Sequence, residues 1–257
     1  MRVWLAGSPW RLAGAWLALA GLVASAGLRV LDLPFSTVAL LVLLVDPAWG
    51  ALWTQFVGQA DMGSVDRRSH LPYAREVSPA VRLHDWYQPL PAILMAGVLA
   101  WLLGGFGLPF TGVVLLLAVL GWLAARAGLA DSWHGWLLAV VRVALPFSLG
   151  VMLTGPWPDG PTGLWLAGLA VGFTLLAAAE QSGTRSGTML LAGLGSSLVI
   201  GVALATGSLL LVGVATLLAA GPLLLLVRPE SALPGAVQVW WWLLAIVASL
   251  GLGWQVS

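Results

Sequence analysis

Long apolar runs alternate along this chain with short clusters of polar, Gly and Pro residues. Cutting it at those clusters leaves nine runs, roughly 12–31, 34–57, 88–106, 108–125, 135–154, 163–179, 188–205, 208–227 and 236–254. Each is close to the about 20 apolar residues that a membrane helix needs. Runs such as VVLLLAVLGWLAA and LLLVGVATLLAAGPLLLLV do not alternate, whereas a transmembrane barrel would show segments of about ten alternating residues. The pattern predicts an all-α polytopic membrane protein with about nine transmembrane helices, forming a single membrane domain over 1–257. Arg2 ahead of an apolar run with small residues imitates a signal peptide. Arg11 interrupts that run and further runs follow, so the stretch reads as a first span.

Composition agrees with lipid as the solvent. Hydrophobic residues make up 60% of the chain and charged ones 8%, with a mean hydropathy of +0.97. A soluble domain averages about 25% charged residues. The net charge of +1 supplies no field for nucleic acid, which is not an expected partner. No cysteine is present, so disulfides and thiolate metal sites are excluded.

Arginine placement sets the expected orientation. Arg2, Arg11, Arg67, Arg68, Arg75, Arg82, Arg126, Arg185 and Arg228 all fall on one side of the nine-span alternation. Arg29 alone falls on the other, and Arg142 lies inside the fifth span. Positive residues favour the cytoplasmic side, so the N-terminus, the 58–87 loop and a second polar loop at 180–187 are expected to be cytoplasmic. The expected location is a bacterial inner (cytoplasmic) membrane. Several of the 16 Trp fall near span ends, as in an interfacial aromatic belt; a surface for a partner subunit or a flat aromatic ligand is the sharper reading.

Three polar positions in or beside the spans are candidate site residues. An intramembrane carboxylate is costly and therefore a site hypothesis; Asp46 is one, though Asp46-Pro47 also reads as a helix cap and first helical residue. Arg142 sits about 10 Å from the start of its span. It is read equally as a snorkelling side chain, an anion site, or a partner of Asp46 or Glu180. Glu180 opens EQSGTRSGT, whose backbone donors and Arg185 suit a phosphate; an ordinary turn capping the next helix is the plainer reading. His70, His84 and His134 lack metal-ligand spacing. No Walker loop, nucleophile elbow or dinucleotide fingerprint is present.

Nine spans, an inside N-terminus and polar loops after spans 2 and 6 resemble the UbiA-type intramembrane prenyltransferases. LPYAREVSP at 71–79 resembles the family segment RPLPSGRISP. GWLLAVVRVALPFSLGVMLTG at 135–155 is similar to the fifth span, and EQSGTRSGTMLLAGLG at 180–195 to the second motif region. The resemblance implies a bundle around a lipid-accessible cavity and an isoprenoid diphosphate joined to an aromatic or tetrapyrrole acceptor. It also aligns Gln55 with the Asn of the motif N-D-x-x-D-x-x-x-D, and Phe56, Gln59 and Gly63 with its acidic positions. In the second motif Glu180 takes the first acidic place, Gly183 matches the Gly, Thr184 replaces an Asp and Arg185 matches the basic residue.

Ionising an allylic diphosphate takes Mg²⁺, which is held by hard oxygen ligands, carboxylates above all. Asp61 and Asp66 lie near the first motif but would stand about 140° apart on a helix, beside Arg67 and Arg68. The expectation is a UbiA-like protein that is non-catalytic or strongly divergent. It would bind an isoprenoid, quinone or chlorophyll-type pigment tail in the lipid bilayer, or serve as a subunit of a membrane complex. One alternative is an active prenyltransferase using Glu180, Asp61 and Asp66 with Mg²⁺, and Arg67, Arg68 and Arg185 on the diphosphate. The other is a small-solute transporter built on Asp46 and Arg142.

Overall fold

The computed structural model describes residues 13–45, 97–98, 101–102, 112, 116, 136–137, 139–181, 185–207, 209–227 and 236–256. Among these, every regular element is a helix and none is a strand. Two compact units are distinguished, residues 1–15 with 34–130 and residues 16–33 with 131–257. The 58–87 loop and the end of the second expected span lie outside the described residues, as does most of the third and fourth spans.

In the first unit the described part of the second span is α2 (Phe35–Leu43). It starts directly after Pro34, whose φ of −56° suits a helix entry. The Pro34 carbonyl accepts the amides of Thr37 at 2.9 Å and Val38 at 3.4 Å.

The second unit holds the rest. Most of α1 (Ala13–Ala26) belongs to it. Gly27 takes a left-handed φ of 57°, which ends the α-helix. A 3-10 turn, Gly27–Asp32, follows. Fourteen α-helical residues rise about 21 Å, and six 3-10 residues add about 12 Å.

In the fifth expected span, α-helical residues at 136, 137 and 139 lead into a π-helical segment, Val140–Ala144, which continues as α3 (Leu145–Met152). Pro146 explains the widened turn. It has no amide to give the Arg142 carbonyl four residues earlier, so the ladder cannot close there. The Leu145 amide instead reaches back five residues to the Val140 carbonyl.

The helices α4 (Gly160–Gln181), α5 (Arg185–Ala205), α6 (Leu209–Val227) and α7 (Ala236–Val256) complete the unit. α4 starts at Gly160, with φ 69°, followed by Pro161 in the first turn. α5 ends on Thr206 and Gly207, whose φ of 73° and amide bond to the Leu204 carbonyl (2.9 Å) close the helix. The polar loop expected at 180–187 is shorter than its composition suggested. Glu180 and Gln181 continue α4 and Arg185 already begins α5, because Glu, Gln and Arg are all good helix formers.

Three stretches, Gly14–Asp32, Gly160–Ala179 and Ser186–Ala205, are long and apolar enough to cross a membrane by length and composition. Side-chain distribution on α5 points the same way. Its exposed face carries Leu190, Leu194, Leu198 and Leu204, while its buried face carries Ala192, Gly195, Ser196, Val199 and Ala203. Large apolar residues outside and small ones inside invert the pattern of a water-exposed helix and match helix packing in lipid.

Backbone-to-backbone contacts at glycine set the helix directions. A Cβ on Gly172 would lie 3.1 Å from the Gly195 carbonyl oxygen and 2.9 Å from Val199, and one on Gly168 would lie 3.0 Å from Val202. α4 and α5 are therefore antiparallel. α7 and α6 are too, since Gly251 near one end packs on Leu211 near the start of the other. By contrast α1 and α7 run parallel. Trp16 stacks on Trp242 (centroids 6.0 Å apart) at one end, and Gly253 abuts Val23 and Gly27 at the other. α1 and α3 run parallel as well, with Gly21 against Phe147 and Ser25 Oγ 3.3 Å from Thr154 Oγ1.

Candidate functional site

These directions sort the second unit into two ends. At one lie Ser25 to Asp32, Thr154, Thr206 and Gln255, tied by the Ser25–Thr154 pair and by Gln255 Nε2 donating to the Thr206 carbonyl. At the other lie Trp16, Trp242, the π-helical segment, the end of α4 and the start of α5. The Arg distribution along the sequence makes this second end the expected cytoplasmic one.

Candidate residues collect at that end. The edge-to-face pair Phe147–Phe173, with centroids 5.8 Å apart, fixes the register between the fifth span and α4. Arg142 lies five residues before Phe147 and Glu180 seven after Phe173, which for antiparallel helices is the same direction. At about 1.5 Å per residue the two positions differ by about 3 Å in depth. Seven residues are nearly two full turns, so Glu180 holds a position on the Phe173 stripe of α4. Five residues of plain α-helix would separate Arg142 from the Phe147 azimuth by roughly 140°; the wider π-helical turn reduces that offset. The π-helical segment also packs against α4, and Arg142 is half-buried there.

Arg185, the first residue of α5, follows Glu180 across the short link. Gly183 and Thr184, within that link, lie outside the described residues, as do Asp46, Gln55, Phe56, Gln59, Asp61, Gly63, Asp66, Arg67 and Arg68. Among the described residues no group of three or more His, Cys, Asp or Glu could hold a metal ion. The structure thus brings Arg142, Glu180 and Arg185 to one end of one unit.

Buried polar atoms lie elsewhere along these helices. Most hydroxyls turn back onto their own helix. Thr174 donates to the Ala170 carbonyl (2.7 Å), Thr206 to Ala203 (2.6 Å) and Thr216 to Val212 (2.7 Å). Ser196 Oγ, Ser249 Oγ and Trp241 Nε1 are buried with no hydrogen-bond partner among the described residues. Serine in an apolar run gives little warning of this, because its neighbours decide whether it bonds back. The WWW run divides as helix geometry requires. Trp242 stacks on Trp16 and accepts its Nε1–H at 3.0 Å, Trp241 is buried, and Trp240 faces outward.

No protein family, curated protein or solved structure matches the chain.

Proposed function

We propose that this chain is an integral membrane protein of about nine spans, a non-catalytic or strongly divergent relative of the UbiA-type prenyltransferases. It binds an isoprenoid, quinone or pigment tail, or serves as a subunit of a membrane complex. The observation that carries the reading is the placement of Arg142, Glu180 and Arg185 at one end of the second unit. Two cations and one carboxylate suit an anionic headgroup or diphosphate better than a divalent cation, which is held by several acidic oxygens. The sequence adds Gln55, Phe56, Gln59 and Gly63 where the resemblance expects Asn and acids.

Helix direction supports the span count. α1, α3 and α7 run the same way, with α4, α5 and α6 between the last two. A chain that returns to start α3 on the side where α1 began must cross an odd number of times between them. The total is then odd, and three crossings over residues 33–139 give nine.

The test uses purified protein, Mg²⁺, a radiolabelled prenyl diphosphate and a panel of aromatic acceptors. The expected result is diphosphate binding weakened by Arg142→Gln or Arg185→Gln, with no product. Turnover abolished by Glu180→Gln would overturn the non-catalytic reading in favour of a Mg²⁺-dependent prenyltransferase.

A further inference from the structure

The geometry points to a binding site for the headgroup of a zwitterionic phospholipid carrying a primary ammonium, on the 3-10 turn Gly27–Asp32 at the non-cytoplasmic end of the second unit; this rests on the membrane reading above. In a 3-10 helix side chains at i and i+3 eclipse. Arg29 and Asp32 therefore share one side of the turn, and Leu28 and Leu31 share another. All four are exposed, Leu31 by 83%. The turn thus presents a charged ridge beside an apolar one.

Position along the turn orders the two charges. The turn rises about 2 Å per residue, so Asp32 stands about 6 Å beyond Arg29 along the turn. A headgroup with a phosphate and, beyond a two-carbon linker, an ammonium has the matching order: phosphate on Arg29, ammonium on Asp32. Arg29 Nε donates to the Ala26 carbonyl at 3.4 Å, which anchors the guanidinium and leaves its Nη groups to grip phosphate oxygens. The turn packs against α7. Gly253 abuts Gly27, which places Trp254, 72% exposed, and Leu250 at the same end. A Trp there sits at headgroup level. Arg29 is also the one loop arginine that opposes the positive-inside bias of the sequence, as a residue holding a lipid phosphate would.

The experiment measures thermal unfolding of the full-length protein in mixed micelles titrated with phosphatidylethanolamine, phosphatidylcholine, phosphatidylglycerol or a phosphate-free glycolipid. Phosphatidylethanolamine is expected to act at roughly fivefold lower concentration than the others, the size of an interfacial ion pair. Arg29→Gln and Asp32→Asn should each abolish that preference, and Arg29→Lys should keep part of it. Loss of the Ala26 bond alone would lower stability equally in every lipid, so the preference separates binding from folding. Equal effects of all four lipids, a preference unchanged in Arg29→Gln, or full stabilisation by soluble phosphoethanolamine would overturn the proposal. A protein that stays monodisperse without any amphiphile would instead overturn the membrane reading itself.

Discussion

Gly172 and Gly195 meet backbone to backbone across the α4–α5 seam: a Cβ on Gly195 would lie 2.7 Å from the Gly172 carbonyl oxygen and 2.9 Å from Leu176 Cγ. In lipid there is no hydrophobic drive between helices, so such close approach supplies the packing that holds them. Gly195→Leu is expected to cost about 1–3 kcal/mol or more by forcing the seam apart. Gly193, two residues away, has no atom of the described residues within 4 Å of a Cβ. Gly193→Ala should be neutral or stabilise by about 0.5–1 kcal/mol through helix propensity. Reversible unfolding in detergent ranks the two, and equal costs would refute the seam.

The Trp16–Trp242 contact combines ring stacking with a hydrogen bond to the Trp242 carbonyl at 3.0 Å. Trp16→Phe keeps most of the ring and should cost about 1 kcal/mol. Trp16→Ala removes both terms and should cost about 3–5 kcal/mol. Unfolding measured through the remaining tryptophans reads the difference. A Phe variant as damaged as the Ala variant would mean the bond, not the packing, dominates.

Ser249 is fully buried and its hydroxyl has no partner among the described residues. Removing an unsatisfied buried hydroxyl relieves a desolvation cost. Ser249→Ala and Ser196→Ala are therefore expected to leave stability unchanged or raise it by about 1 kcal/mol. Thr174→Val breaks the bond to Ala170 but leaves a backbone carbonyl already paired in the helix, so it should change stability by less than about 1 kcal/mol. A marked loss in either serine variant would reveal a polar partner at that position.

The parallel courses of α1, α3 and α7 predict that the two chain ends lie on opposite sides of the bilayer, the N-terminus cytoplasmic. Reporter fusions active only in the cytoplasm or only outside it should give opposite results at the two ends. Matching results would require an even number of crossings and would sink the nine-span reading.

Among the described residues, helix identity and approximate helix ends were legible in the sequence, because a run of about 20 apolar residues closed by a polar or Gly/Pro break is the pattern of a helix suited to lipid. α4 and α5 follow it with small shifts. The polarity of EQSGTRSGT suggests a turn at Glu180, because polarity and turn propensity overlap; α4 reaches through it because Glu and Gln favour helix wherever Gly and Pro do not intervene.

Periodicity could not reveal the π-helical turn around Arg142. That turn depends on Pro146 withholding one amide, and its packing against α4 exists only in the folded unit. Nor could composition separate Trp240 from its two neighbours, since only the approach of α1 decides which ring is stacked. The sequence by itself determined that this protein is helical and apolar enough for lipid, because transfer from water acts on each segment alone. The tertiary structure decided which glycines touch, which helices run parallel and which charges share an end, because those depend on contacts between residues far apart in the chain.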